Sequence, residues 1–202
     1  MKKIKYLVIS VLAAMSLSGC DKLPLQRTYD YDPKPLDPHQ YMTCWEYIAQ
    51  SPTLASMKMA IERCGLTDYY AQTEVKYTYL LLDETAFTEY ILPQLDAGLV
   101  TDADVEALKE ILLFHIVCGE YNGYNRTLSY DPMHVLTLWE NIDAVMTIKL
   151  YNDFDSLSQK LQDRVTFMDQ CGHSQVVYAT MSNLLMTNGS AHILSRNCVY
   201  EK

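Results

Sequence analysis

Thr187-Asn188-Gly189-Ser190-Ala191-His192-Ile193-Leu194-Ser195 carries the strongest backbone signal in the chain. Asn-Gly is the dipeptide that best tolerates the two positive φ values of a type I′ turn, and here it sits between the apolar runs Leu184–Thr187 and Ser190–Leu194. The stretch therefore predicts a tight hairpin turning at Asn188-Gly189. Further strand runs precede it. Val135–Trp139 and Val145–Leu150 flank a turn at Asn141-Ile142-Asp143, and Val165–Met168 is a short β-rich segment. The second half of the chain reads as antiparallel sheet.

Upstream of residue 115 the pattern is helical. Thr43 and Glu46 have capping-box spacing, and Ser51-Pro52 is an N-cap followed by the helical position that tolerates proline. Leu54, Met57, Ile61 and Cys64 then share one stripe, which Gly65 closes as a C′ residue. A strand is expected at Tyr77–Leu82. Asp83 is placed to cap a helix carrying Phe87, Tyr90, Ile91 and Leu95 and ending near Gly98. Thr101 is the expected cap of a second helix with Val105, Leu108, Ile111, Leu112 and His115 on its inner face. Helices first and strands after give an α+β domain over residues 41–202.

The N-terminus has a separate logic. Residues 1–19 combine Lys2, Lys3 and Lys5, an apolar stretch from Tyr6 to Met15, and the small residues Ser16, Ser18 and Gly19. That is the layout of an export signal, and it is too short to span a bilayer. Leu17-Ser18-Gly19-Cys20 fits a bacterial lipobox, so Cys20 is the expected lipidation site and first mature residue, anchored in the bilayer by its acyl chains. Residues 20–40 contain Pro24, Pro33, Pro35 and Pro38 and read as an extended tether. The expected location is the cell envelope, at the outer membrane, facing the periplasm or the cell surface.

The formal net charge is −9, with 25 Asp and Glu against 16 Lys and Arg, and the export signal holds three of those lysines and no acid. So acidic a chain is not built to bind nucleic acid, which requires clustered cations. Apart from Cys20, the cysteines are Cys44, Cys64, Cys118, Cys171 and Cys198. Disulfides form outside the cytoplasm, but the spacing leaves their pairing open, and buried free thiols fit equally well.

Three segments resemble the signatures of the fasciclin-like domain family, bacterial lipoproteins included. In Tyr77–Phe87, Thr78, Ala86 and Phe87 fall on the family pattern, although Leu82, Asp83 and Glu84 replace its Pro, Thr and Asp. In Leu108–Tyr121, the matching residues are Leu112, His115, Val117, Gly119 and Tyr121. Thr187–Ser195 is similar to the closing signature through Asn188, Gly189 and His192, with Ser195 at the usual Asp. The three occur in order and cover about residues 42–202. The resemblance implies a wedge in which an antiparallel β-sandwich packs against an N-terminal helical layer. It also implies a binding or adhesion module. The family's Tyr-His pair, linked to integrin recognition in animal members, is Phe114-His115 here and lacks the hydroxyl.

His115 and His192, on a helix face and a strand, read as core histidines. Asp102-Ala103-Asp104-Val105-Glu106 lacks the glycine of a calcium loop and suits the first turn of a helix. Neither a Gly-x-Ser-x-Gly elbow nor a phosphate loop occurs, Asp153 and Asp155 sit in a polar segment, and no metal or cofactor is expected. The polar run Tyr121–Tyr130 combines rings with amides, a composition suited to sugars and adaptable contacts, which makes Tyr121, Tyr124 and Tyr130 the candidate ligand-binding residues. The expected function is a non-enzymatic, lipid-anchored module for adhesion, binding a glycan or protein partner at the cell envelope. Two alternatives are an accessory substrate-capture subunit of an outer-membrane nutrient-uptake complex, and a hydrolase with an unrecognised site.

Overall fold

Thr43 starts the first helix, α1 (Cys44–Gln50), with a complete capping box: its hydroxyl accepts from the Glu46 amide and the Glu46 carboxylate accepts from the Thr43 amide at 2.7 Å. Those hydrogen bonds hold the Glu46 carboxyl below its usual pKa. The helix turns Cys44 and Ile48 inward. Pro52 opens a 3-10 turn, Pro52–Leu54, although the Ser51 hydroxyl donates back to the Tyr47 carbonyl at 2.8 Å instead of capping. Helix α2 (Ala55–Arg63) presents the expected stripe, with Leu54, Met57 and Ile61 fully buried. Gly65 ends it at φ 66°, with Gly65 N–H donating to the Glu62 carbonyl and Leu66 N–H to the Ile61 carbonyl, the paired bonds of a Schellman stop. A short α3 (Thr67–Ala71) then leads to β1 (Tyr77–Leu82).

Asp83 accepts from the Ala86 amide at 3.0 Å and begins the next helical segment. That segment is π-helical over Ala86–Ile91, with Leu92 N–H donating to the Phe87 carbonyl five residues back, and closes in α4 (Leu92–Gln94). It ends short of Gly98. Helix α5 (Val105–Phe114) is capped by Asp104, whose carboxylate accepts from the Ala107 amide at 2.9 Å. The expected cap, Thr101, lies one turn too early and bonds Asp102 instead. His115 is the C-cap of α5, and the chain passes directly into β2 (Ile116–Cys118).

The computed structural model describes residues 37–141, 144–155, 160–168 and 175–200. The export signal, Cys20, most of the tether, the turn residues Ile142 and Asp143, and Cys171 lie outside them. The remaining strands are β3 (Met133–Val135), β4 (Met146–Asp155), β5 (Lys160–Phe167), β6 (Val177–Met186) and β7 (Gly189–Leu194). All seven form one sheet in the order β2-β1-β7-β6-β5-β4-β3.

Two features correct the expected antiparallel sandwich. First, β1 and β7 run parallel, paired from Tyr77 with Gly189 to Leu82 with Leu194. Second, the two ends of the sheet meet. Cys118 N–H of β2 donates to the Leu136 carbonyl at 2.8 Å and Leu138 N–H donates to the Ile116 carbonyl at 2.9 Å, immediately beyond β3. The sheet thus rolls into a nearly closed barrel, which removes exposed edges. The helices pack on one another, α1 against α2 and α3, and α2 against α5, and their apolar faces share one core with the sheet.

The hairpin also differs from expectation in its turn. Met186 pairs with Gly189, so Thr187 and Asn188 form the two-residue loop, and neither has positive φ. Gly189 is instead the first residue of β7, at φ 144°. The pairing of β6 with β7 slips twice, between Ala179 and Met181 and between Met181 and Leu184. These bulges turn both Thr180 and Met181 outward. Ahead of α1, residues 38–42 lie along the far end of β6, with Leu185 N–H donating to the Pro38 carbonyl and Thr187 N–H to the Met42 carbonyl. Pro38–Gln40, read as tether, therefore belongs to the domain. Cys44, Cys64, Cys118 and Cys198 are free thiols.

Candidate functional site

Residues from all three signature segments meet at the main chain of Tyr121. Its N–H donates to the Thr78 hydroxyl at 2.8 Å, and that hydroxyl donates to the Gly119 carbonyl at 2.8 Å. The Tyr121 carbonyl accepts from the Ser190 hydroxyl and from His192 Nε2, each at 3.0 Å. Thr78, Ser190 and His192 are fully buried, so two adjacent strands fix the point where the polar loop leaves the sheet. Ala86 and Phe87 are also fully buried, in the helical segment after β1.

Both histidines have their ring nitrogens occupied. His192 Nδ1 accepts from the Asn183 amide at 3.4 Å while Nε2 donates to Tyr121. His115 Nε2 accepts from the Cys198 amide at 2.9 Å, which leaves the proton on Nδ1, where it donates to the Ile111 carbonyl at 2.7 Å. These partners fix neutral tautomers. Burial, opposed in part by the carbonyl each ring bonds, brings both pKa values down from 6.5 to about 4.

Asn188 is a buried junction. Its side-chain oxygen accepts from the Cys44 amide at 2.9 Å, and its side-chain nitrogen donates to the Tyr70 carbonyl at 2.8 Å and the Tyr79 hydroxyl at 3.0 Å. The N-terminus of α1, the end of α3 and the β6–β7 turn are thereby joined through one amide. Burial raises the pKa of the Tyr79 phenol and that of the Cys44 thiol, so both stay protonated and neutral. Asn188→Leu should cost about 2–4 kcal/mol, because it strands a buried N–H and a buried carbonyl with no partner. A urea denaturation midpoint unchanged by that substitution would refute the junction.

The candidate ligand residues do not share one environment. Tyr121 is half-buried, packs against the core and lays its ring over Gly119, which has φ 103°. Tyr124 and Tyr130 are 60% and 55% exposed. Between them the loop is knitted by Asn122, itself buried. Its side-chain oxygen accepts from the amides of Tyr124 and Asn125, both at 3.0 Å, and its own N–H donates to the Thr127 hydroxyl at 2.9 Å. Asn183, from the second β6 bulge, accepts from Gly123 N–H at 2.8 Å. Much of the amide chemistry that made the loop look adhesive is thus spent internally. Asn122 and Asn183 were not singled out by the sequence; the signal was Asn-Gly-x-Asn following the central segment, a run suited to side-chain-to-backbone turns. The acidic cluster at residues 102–106 serves the helix through Asp104. Among the described residues, no three His, Cys, Asp or Glu side chains are grouped to hold a metal ion.

A rolled mixed sheet with helices ahead of it recurs in a solved structure, a FAS1 domain pair from the insect cell adhesion molecule Fasciclin I. The two superpose at a TM-score of 0.56 and 12% identity, over 80% of this chain and 52% of that one. The fold is fasciclin-like. At this identity the likeness concerns architecture alone, and the chain spans about half the length of the domain pair. No protein-family model matches the sequence, and neither does any curated protein. The fasciclin-like fold explains why residues so far apart in sequence as Thr78 and Ser190 lie side by side, 3.3 Å between hydroxyls.

Proposed function

We propose that this chain is a non-enzymatic binding module for adhesion, anchored to the outer membrane through acylated Cys20 and directed at a glycan or protein partner. The observation that carries the reading is the fold shared with a cell adhesion molecule. It is supported by His115 and His192, whose nitrogens are committed to main-chain partners, so that recognition falls to surface groups. Tyr124 and Tyr130 are the exposed rings of the polar loop and the first candidates for contact.

The anchor has a direct test. Wild type should sediment with membranes and need detergent for release, whereas Cys20→Ser should appear in the soluble fraction. A Cys20→Ser chain that stays membrane-bound without detergent overturns the lipid anchor. The binding reading is tested by probing an array of bacterial and host glycans with residues 21–202. Retention on defined glycans, or on whole cells, is expected; binding to neither, together with turnover of any arrayed glycan, would replace it with the hydrolase alternative.

A further inference from the structure

A groove of about 640 Å3 lies along β5, the first half of β6 and the segment following β7, with Tyr90 of the π-helical turn beside it. Its volume is in the range of small-ligand clefts. Its charge sets it apart. Arg164 and Arg196 both line it, and among the described residues no carboxylate does. Four other concavities each include a carboxylate: Glu110, Asp68, Glu106 and Glu140 in turn. In a chain with nine more acids than bases, a depression whose described lining holds two guanidinium groups and no acid favours anions more than the surrounding surface does.

The groove is also built, in that its main cation is held in place. The Arg196 guanidinium sits 4.7 Å from the centre of the Tyr90 ring. A cation held over a ring face keeps N–H donors for an anion on its other side, and holding it there lowers the ordering cost of binding. Ser195, next to Arg196 in the chain, lines the same groove and adds a hydroxyl without charge. Also in the lining, Thr180 pins the first β6 bulge, its hydroxyl donating to the Ile193 carbonyl at 3.0 Å. The Tyr178 ring, 42% exposed, and the Ser182 hydroxyl reach the groove from the same strand.

We propose that this groove binds a saccharide bearing a carboxylate or sulfate group. Arg196 takes the anion, whose oxygens match the guanidinium fork, Ser182 and Ser195 take sugar hydroxyls, and the Tyr178 ring takes a sugar face. Hydroxyls with one open aromatic ring suit a sugar better than a peptide, which would need apolar pockets for its side chains. The inference deepens the glycan half of the function proposed above and rests on that reading, but it assigns recognition to residues outside the Tyr124 loop.

The full-length protein, in detergent, is titrated with trigalacturonate, a sulfated galactotriose, neutral galactotriose and inorganic sulfate. One or both acidic sugars should bind at least about tenfold more tightly than galactotriose and than sulfate alone. That affinity should weaken severalfold between about 50 and about 300 mM salt, as charge pairing at a partly open site is screened. Arg196→Gln and Ser195→Asp should each weaken it about tenfold or more at an unchanged melting temperature. The second variant removes no stacking contact and guards against misfolding in the first. If neither acidic sugar binds, if sulfate alone binds as well, or if both folded variants bind like wild type, the groove is not the site. Salt-tolerant binding lost in Tyr124→Ala and untouched by Arg196→Gln would overturn the groove while leaving the adhesion module standing.

Discussion

Gly189→Val should destabilise the domain by about 3 kcal/mol or more. Gly189 has φ 144°, and a Cβ placed there would lie 1.9 Å from the Tyr77 carbonyl oxygen and 2.9 Å from the Tyr77 amide nitrogen. Both obstacles are backbone, held in the parallel pairing of β1 with β7, so no rotamer change relieves them. The only responses are separation of the two strands at their first paired residues or a backbone shift at Asn188, which holds α1 and α3. Strain at a residue with positive φ and a β-branched side chain adds to the clash. Gly189→Ala should already cost most of this. Gly98→Ala is the control, since a Cβ there meets nothing within 4 Å, and it should stay within about 0.5 kcal/mol of wild type. Equal urea midpoints for Gly98→Ala and Gly189→Val would contradict the close approach of β1 and β7.

Acidification should have the other large effect. His115 and His192 titrate at about 4 in the folded chain, chiefly because burial disfavours the charged ring, and near 6.5 when unfolded. Between those values the unfolded state binds more protons, so stability falls as pH falls. The slope is about 1.4 kcal/mol per pH unit for each ring, or about 3 kcal/mol per ring across the window. Above pH 6.5 both rings are neutral in either state and this dependence vanishes. Two rings together approach the whole stability of an ordinary domain, about 5–15 kcal/mol. The structural cause is specific: a second proton on His115 would set a ring N–H against the Cys198 N–H, and one on His192 would do the same against Asn183. Denaturation midpoints between pH 7.5 and 4.5 measure it. His192→Gln should be less stable than wild type at pH 7.5 and lose less on acidification. An identical pH slope in wild type and His192→Gln would exclude that ring as a source.

What could be read in the sequence was local. The capping box at Thr43, the stop at Gly65, the cap at Asp83 and the bounds of β1 each depend on residues within one or two turns, and the structure has all four. Thr101 was misplaced because three further residues, Asp102, Ala103 and Asp104, separate it from the first helical turn, and the nearer carboxylate wins. Asn188-Gly189 failed for a different reason. The dipeptide has a turn-forming preference, but here Asn188 is required for its buried amide and Gly189 for its missing side chain, so the turn moves one residue earlier. The parallel pairing of β1 with β7 and the closure of β2 onto residues 136–138 were illegible, because no period within a segment records which distant strand lies beside it. The candidate groups show the same division. The Tyr124 loop is contiguous and could be read, whereas Arg164 on β5, Tyr178 on β6 and Arg196 just after β7 are gathered only by the order of those strands in the sheet.

The parallel strand also sets a schedule for assembly. Residues 189–194 lie between β1 and β6, and Thr78 meets Ser190 from 112 residues away. A chain emerging from a ribosome or a translocation channel has Leu80, Leu81 and Leu82 available long before their neighbour exists. Until that neighbour arrives, one side of β1 is an open apolar edge that invites pairing with another chain, and such distant contacts form slowly. The domain is therefore poorly suited to folding in stages. Its period of greatest vulnerability is the interval before β7 is delivered, when a holding chaperone would have the most to protect.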